Sequence, residues 1–154
     1  MNALRQIRWV ALIVSWVVDI GGSNLFSIVY FGTLVAMGRL TLAQLGSPDF
    51  TKIVLNDPAM FGTSLAGGTF FSVLAGYVAA RMAGRAPLLH GTLSSAACLG
   101  IDVISLPTLL TYPLWLFALG VLVSPLAGYS GGWLASLGQR NLASAAALTP
   151  RQEG

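Results

Sequence analysis

Four long stretches of this chain carry almost no charge, and they constrain its fold more than any other feature. They cover about residues 9–31, 59–82, 89–111 and 113–137. Each has about the 20 apolar residues that an α-helix needs to cross the hydrocarbon core of a bilayer. Because a chain in lipid must satisfy its own backbone hydrogen bonds, each stretch is predicted to be a transmembrane helix.

The composition also indicates an all-α membrane protein. Charged residues make up 8% of the 154 positions, whereas a soluble domain has about a quarter. The eight lysines and arginines form no run, which argues against a nucleic-acid partner. We therefore expect the lipid bilayer to surround the chain. Residues 1–141 are predicted to form one transmembrane domain, and residues 142–154 a flexible cytoplasmic tail.

The first stretch is long for a single crossing, because its apolar pattern continues to about Met37. This helix is expected to tilt, or to bend at the Gly-Gly-Ser-Asn sequence of residues 21–24. The loop that follows, 38–58, is the only long one between spans. Its Asn-Asp-Pro sequence at 56–58 is expected to cap the second span.

A short helix is predicted inside that loop. The Ser-Pro-Asp sequence at 47–49 is typical of a helix start, with an N-cap, a proline in the first turn and an acid near the positive dipole end. Phe50, Ile53 and Val54 then share one face, which favours a helix lying at the membrane surface. An irregular loop is the alternative.

Basic residues predict the orientation of the spans. Six of the eight collect on one side: Arg5, Arg8, Arg81, Arg85, Arg140 and Arg151. The other side has only Arg39 and Lys52. Loops rich in lysine and arginine stay in the cytoplasm, so both termini are expected to be cytoplasmic in a multi-pass plasma-membrane protein.

The second and fourth spans each carry small residues at every fourth position, a glycine-zipper pattern. Such spacing makes a nearly continuous groove down one helix face, where another helix can approach closely in lipid. The first ladder is Ser64, Gly68, Ser72, Gly76, Ala80 and Gly84, and the second is Gly120, Ser124, Gly128, Gly132 and Ser136.

The two ladders align with each other and indicate an internal repeat. The Ala-Gly-Tyr sequence at 75–77 matches that at 127–129, and Val-Asp-Ile at 18–20 is similar to Ile-Asp-Val at 101–103. The pattern predicts two helical hairpins of the same orientation, related by an axis along the membrane normal. Convergence on similar packing is the alternative.

One segment also resembles a known group of proteins. Its matching features are Gly67-Gly68, Ala75-Gly76-Tyr77, Ala83-Gly84-Arg85 and His90-Gly91. Residues 67–91 look like the corresponding part of small four-helix bacterial inner-membrane proteins of unknown function. In those proteins a glycine-rich second span ends in a basic turn followed by a His-Gly pair. The resemblance implies a bacterial inner membrane and supplies neither an activity nor a site.

Two acids inside the spans are the candidates for chemistry. Asp19 and Asp102 each lie about ten residues, or about 15 Å, from the cytoplasmic end of their helix. Acids at that depth are costly and mark ion or proton sites by default. Asn24 and Ser105 are candidate polar partners, as are Ser23 and Ser124. The alternative is a protonated aspartate that only holds neighbouring helices together.

No other group suggests a site. His90 is expected to be a polar residue at the inner interface, and Cys98 a small residue in an apolar segment. The sequence has no phosphate loop, metal motif or nucleophile elbow. We therefore expect no enzyme activity, no cofactor and no bound metal.

Two function hypotheses follow. The first is a non-enzymatic membrane scaffold, either an accessory subunit of a larger complex or a homo-oligomer. The second is a small proton- or cation-coupled transporter or channel that uses Asp19 and Asp102. A wet cavity around the acids favours transport, and dry packing favours the scaffold.

The orientation gives a first prediction. A reporter that is active only in the cytoplasm, fused after Gly154, should be active in cells, because the basic residues keep both termini inside. Activity of a periplasm-specific reporter at the same position would contradict the six-to-two charge argument.

Overall fold

Six α-helices make up the part of the chain that the structure describes. The computed structural model describes residues 7–104 and 113–148, with side chains at 7–100 and 113–139. The helices are α1 (Trp9–Ala36), α2 (Leu42–Leu45), α3 (Phe50–Asn56), α4 (Pro58–Ala83), α5 (Pro87–Ile104) and α6 (Leu114–Leu148).

Three of these helices are long and apolar enough to cross a membrane: α1, α4 and the Leu114–Gln139 part of α6. Within the described residues, α5 does not meet this standard. It has 18 residues up to Ile104 and carries Thr92, Ser94 and Ser95 in its middle. The rest of the predicted third span, 105–111, lies outside the described residues.

The local sequence explains where the helices begin and end. Asp57 caps α4, as predicted: its side chain accepts hydrogen bonds from the backbone N–H groups of Ala59 and Met60, and Pro58 is the first helical residue. Gly84 ends α4 in a left-handed conformation with φ of 68°. α1 runs without interruption through residues 21–24, and the predicted tilt or bend stays a prediction.

The short loop helix is present, but its start differs from the prediction. α3 begins at Phe50, and the Ser47 side chain accepts from the Asp49 N–H without capping the helix. A further one-turn helix, α2, precedes it. Thr41 and Gln44 form a reciprocal capping box there, which satisfies two backbone donors and stabilises even a very short helix.

The helix α6 is longer than the sequence predicts. It continues to Leu148, so the first half of the segment 142–154 is helical where the sequence predicts a flexible tail. The segment 143–147 has four alanines and one serine, and alanine has the highest helix propensity of all residues. The proline at 125 lies inside α6 without ending it.

Pairs of neighbouring residues show the direction of each helix. α4 and α6 run the same way, since the Phe61 ring packs on Trp115 at one end and the Arg81 side chain lies beside Gly138 at the other. α1 runs opposite to α4: Arg8 bonds to the Met82 carbonyl. α5 runs opposite to α6, because Gly132 lies against Pro87 and Gly128 against Ser95.

Small residues fill the interior and large apolar ones face outward. The fully covered positions include Ala75, Ala79 and Ala135, whereas Ile28, Leu122 and Leu126 are about two-thirds exposed. A soluble protein has the opposite distribution. In lipid, an exposed large apolar side chain carries no free-energy penalty, and small side chains in the interior allow the helices to pack closely.

A close backbone contact joins three helices through glycine. A Cβ atom at Gly76 would lie 2.8 Å from the Gly128 Cα, and one at Gly91 would lie 2.9 Å from the Gly132 Cα. Real Cβ atoms do not come this close to a backbone, so α4, α5 and α6 can meet here only without side chains. A Cβ at Gly68 or Gly120, in contrast, would meet nothing within 4 Å.

This contrast gives a prediction within one ladder. Gly76→Leu should destabilise the protein by about 3 kcal/mol or more, because the neighbouring backbone must move to admit the side chain. Gly68→Leu, two turns earlier on α4, should leave stability unchanged or slightly raised, because leucine favours a helix over glycine. Thermal unfolding in detergent measures both. Equal destabilisation by the two variants would show that the space around Gly76 is no more restricted than the space around Gly68.

Candidate functional site

The Asp19 carboxylate is bonded to two other helices. It lies on α1 with only 7% of the residue exposed. The Ser72 hydroxyl on α4 donates to it, at 3.1 and 3.3 Å from the two carboxylate oxygens. The Cys98 side chain on α5 is a further hydrogen-bond partner. One acid therefore joins three helices in the middle of the bundle.

An open cavity of about 280 Å³ lies beside this carboxylate. Its walls come from four helices and are polar where they approach Asp19. The lining residues are Asp19, Ile20, Ser23, Asn24, Ser72, Cys98 and Ser124. Such a cavity has room and partners for several water molecules.

The predicted polar partners are only partly brought together here. Ser23, Asn24 and Ser124 line the cavity with Asp19, and the Asn24 side-chain amide donates to the Ile20 carbonyl at 2.7 Å. Asp102 lies in the last turn of α5, four residues after Cys98, and its side chain is outside the described residues. Ser105 is outside them altogether. An approach of Asp19 to Asp102 therefore stays a prediction.

The small-residue ladders have two different environments along their length. Gly76, Gly128 and Gly132 lie in the glycine contact, and Ala80 is fully buried. Toward the other end, α4 and α6 separate and leave a second open cavity of about 230 Å³. Gly68, Ser72, Gly120 and Ser124 all line this cavity. Ser64, Ser72 and Ser124 of the ladders thus face a crevice, while the glycines nearer Arg81 face a backbone.

A second polar cluster lies at the Arg8 end of the bundle. His90 is fully buried among the helices beside Arg8, and its predicted position at the inner interface stays a prediction. Its Nε2 accepts a hydrogen bond from the backbone N–H of Arg8, and its Nδ1 is 3.1 Å from the Ala86 carbonyl. Because Nε2 accepts, the ring proton lies on Nδ1. Beside it, the Ser94 hydroxyl donates to the Ser15 hydroxyl at 2.7 Å, both fully buried.

Several of these residues carried no signal in the sequence. Ser15 and Ser94 belong to no ladder, Gly91 stands out only as part of the His90-Gly91 pair, and the sequence predicts only a small apolar-segment residue at Cys98. Their roles depend on how α1 and α5 are rotated about their axes, and these helices are apolar on most sides. One signal was present for Cys98: it precedes Asp102 by one helical turn.

The chemistry of the cavity suits a proton or a small hard cation. A single carboxylate supplies one negative charge, and hydroxyl and amide oxygens are ligands of hard cations. The two ion pairs among the described residues, Arg39–Asp57 and Lys52–Asp49, lie in the loop region and not at Asp19. In the same part of the chain, no group of three metal-binding side chains comes together.

Comparison of the chain with protein-family models, with curated proteins and with solved structures gives no match.

The buried imidazole gives a prediction about stability. His90→Leu should destabilise the protein by about 1–3 kcal/mol, because the Arg8 N–H loses its acceptor at a partly buried position. Thr92→Val, on the same helix, removes an exposed hydrogen bond to the Leu88 carbonyl and should change stability little. Denaturant unfolding in detergent compares the two. A loss at Thr92 as large as that at His90 would contradict the assigned role.

Proposed function

We propose that this chain is a non-enzymatic membrane protein that binds a proton or a small monovalent cation at Asp19 and carries it across the bilayer. One observation supports this most. A nearly buried carboxylate, between helices long and apolar enough to cross a membrane, lines an open cavity with serine hydroxyls and an asparagine. An acid that served only to hold helices together would need no such space.

The negative charge of an ionised Asp19 is costly inside a membrane. An ionised side chain near the middle of a bilayer costs at least about 2.5–3.5 kcal/mol. Asp19 lies eleven residues after Arg8, about 16 Å along the helix. Its carboxylate must therefore hold a proton, meet a cation or face water. Exchange among these three states is the elementary step of proton- or cation-coupled transport.

The proposal includes four crossings, with α5 as the additional one. The Phe61–Trp115 contact places the starts of α4 and α6 at the same end of the bundle. If both helices span the membrane, the chain must return between Ala83 and Leu114. The contacts of α5, opposite in direction to α6, support α5 as the returning helix. The charge bias then puts both termini in the cytoplasm, and the resemblance of residues 67–91 favours a bacterial inner membrane.

Within this arrangement α1 with α4 and α5 with α6 form two hairpins of the same orientation. The parallel course of α1 and α5 supports it, since Ser15 meets Ser94 and Arg8 meets His90. The repeat makes Asp19 and Asp102 equivalent positions. We propose that Asp102 is the second acid of the same pathway.

A scaffold is the second candidate, because a different observation favours it. Glycine backbones join α4, α5 and α6, and large apolar side chains cover the outside of α1 and α6. A rigid bundle with an apolar exterior suits an accessory subunit of a membrane complex or a homo-oligomer. In that role Asp19 would only need to hydrogen bond to Ser72.

Substitution of the acids by asparagine separates the two functions. The flux is measured in proteoliposomes that contain a pH-sensitive or a sodium-sensitive dye. Asp19→Asn and Asp102→Asn should each abolish the flux of protons or sodium ions, because an asparagine side chain neither releases a proton nor neutralises a cation. Asp49→Asn, in the exposed Lys52 pair, should leave flux at the wild-type rate. Full flux in Asp19→Asn, or no flux in the wild type under either gradient, would favour the scaffold.

A further inference from the structure

Three open cavities follow one another along the bundle. The Asp19 cavity shares Ser23, Ser72 and Ser124 with the crevice between α4 and α6. That crevice shares Ser64 and Leu65 with a third cavity of about 280 Å³ beneath α3. Together they lead from the middle of the bundle to the end that carries the loop 38–58.

The opposite direction from Asp19 is closely packed. Ser15, Ser94 and Ser95 are fully buried one turn or more toward the Arg8 end. At the same level the Gly76 and Gly128 backbones touch, and no side chain fits between them. An open cavity of about 490 Å³ lies at the Arg8 end, but its lining (Arg8, Trp9, Val10, Ala11 and Met82) shares no residue with the Asp19 cavity. The open path from the acid therefore leads toward α3, and close packing lies between the acid and the Arg8 end.

The third cavity differs from the other two because its walls are mostly apolar. Phe31 on α1, Phe50 on α3 and Phe61 on α4 all line it. The Phe31 and Phe50 rings meet edge to face, with centroids 5.0 Å apart. An apolar section in a polar path holds back water and ions, as hydrophobic gates do in channels.

The geometry points to a one-sided entry route: a small monovalent cation reaches Asp19 from the α3 end, past the phenylalanines and along the α4–α6 crevice. Access from the Arg8 end is closed by the glycine contact. The route deepens the proposed function and rests on Asp19 as its binding site. Its direction, however, can be measured without any transport.

The small residues of the crevice have a definite part in this route. A Cβ at Gly68 or Gly120 would meet nothing within 4 Å, so a larger side chain at either position fits without a clash and fills the crevice. The same ladder therefore closes the bundle at Gly76 and leaves it open at Gly68.

The single cysteine of the chain is a built-in probe for this route, because Cys98 lines the Asp19 cavity. A membrane-impermeant, positively charged methanethiosulfonate reagent is added to one face of sealed membrane vesicles or to the other. Two reference variants identify the faces in a Cys98→Ser chain: Lys52→Cys at α3 and Arg81→Cys at the opposite end. Ser124→Cys in the same chain is a second probe of the cavity.

Cys98 should react with reagent added to the α3 face and be protected from reagent at the Arg81 face. Gly68→Leu should abolish the reaction of Cys98 from the α3 face, because the leucine side chain blocks the crevice. Phe50→Ala should speed the reaction from the same face. Gly62→Leu, an equally open glycine on α4 that lines none of the three cavities, should react like the wild type. Gly120→Leu repeats the block if Gly68→Leu elutes as aggregate.

Three outcomes would overturn the route: reaction from the Arg81 face alone, equal reaction from both faces, or wild-type reaction in correctly folded Gly68→Leu. Asp19→Asn separates this result from the flux experiment, since it should keep the side preference while abolishing flux. Side-dependent reaction without any flux would support the route and remove the transport function. Flux without side-dependent reaction would support the transport function and overturn the route.

Discussion

The direct contact of backbones at Gly76, Gly91 and Gly128 determines most of the remaining structure. Lipid provides no hydrophobic force to bring helices together, so they associate through close packing. Once α4, α5 and α6 touch at this level, alanines cover the neighbouring positions and large side chains point outward. The position of this backbone contact also determines where α4 and α6 separate, and hence where a cavity opens between them. One point of contact thus gives both the tight and the open half of the bundle.

The helix α1 is held in a different way, through rings and polar groups. The Phe71 ring covers Gly22, and the Phe26 ring covers Gly67 in return. Hydrogen bonds at Asp19 and Ser15 connect it to α4 and α5. These polar contacts are individually modest, about 0.6 kcal/mol each where helix–helix bonds in a membrane have been measured. The candidate binding group, Asp19, therefore lies on a helix that is connected to its neighbours by individually weak hydrogen bonds.

The sequence was sufficient for three of the four predicted membrane-spanning helices, and it singled out two residues that the structure brings together, but it was not sufficient for the rotation of the helices about their axes. Asp19 and Ser72 each stood out, one as an intramembrane acid and the other as a ladder position. That Ser72 faces Asp19 follows from the angle of α1 on α4, which an evenly apolar helix does not reveal. The polar character of histidine predicts an interfacial position for His90 but not its burial among the helices, which its acceptor role toward the Arg8 N–H group explains. The Thr41–Gln44 capping box, in contrast, is a readable motif that the prediction overlooked.

The bond between the Arg8 N–H and His90 has a consequence for biosynthesis. The two residues are 82 positions apart, and a ribosome delivers the chain from its N-terminus at about 5–20 residues per second. The start of α1 thus leaves the ribosome several seconds before its acceptor exists. During that interval solvent must satisfy the exposed N–H group, because a backbone donor left without an acceptor is costly. Arrival of α5 supplies the acceptor for that N–H group, and α6, which is made last, then completes the bundle.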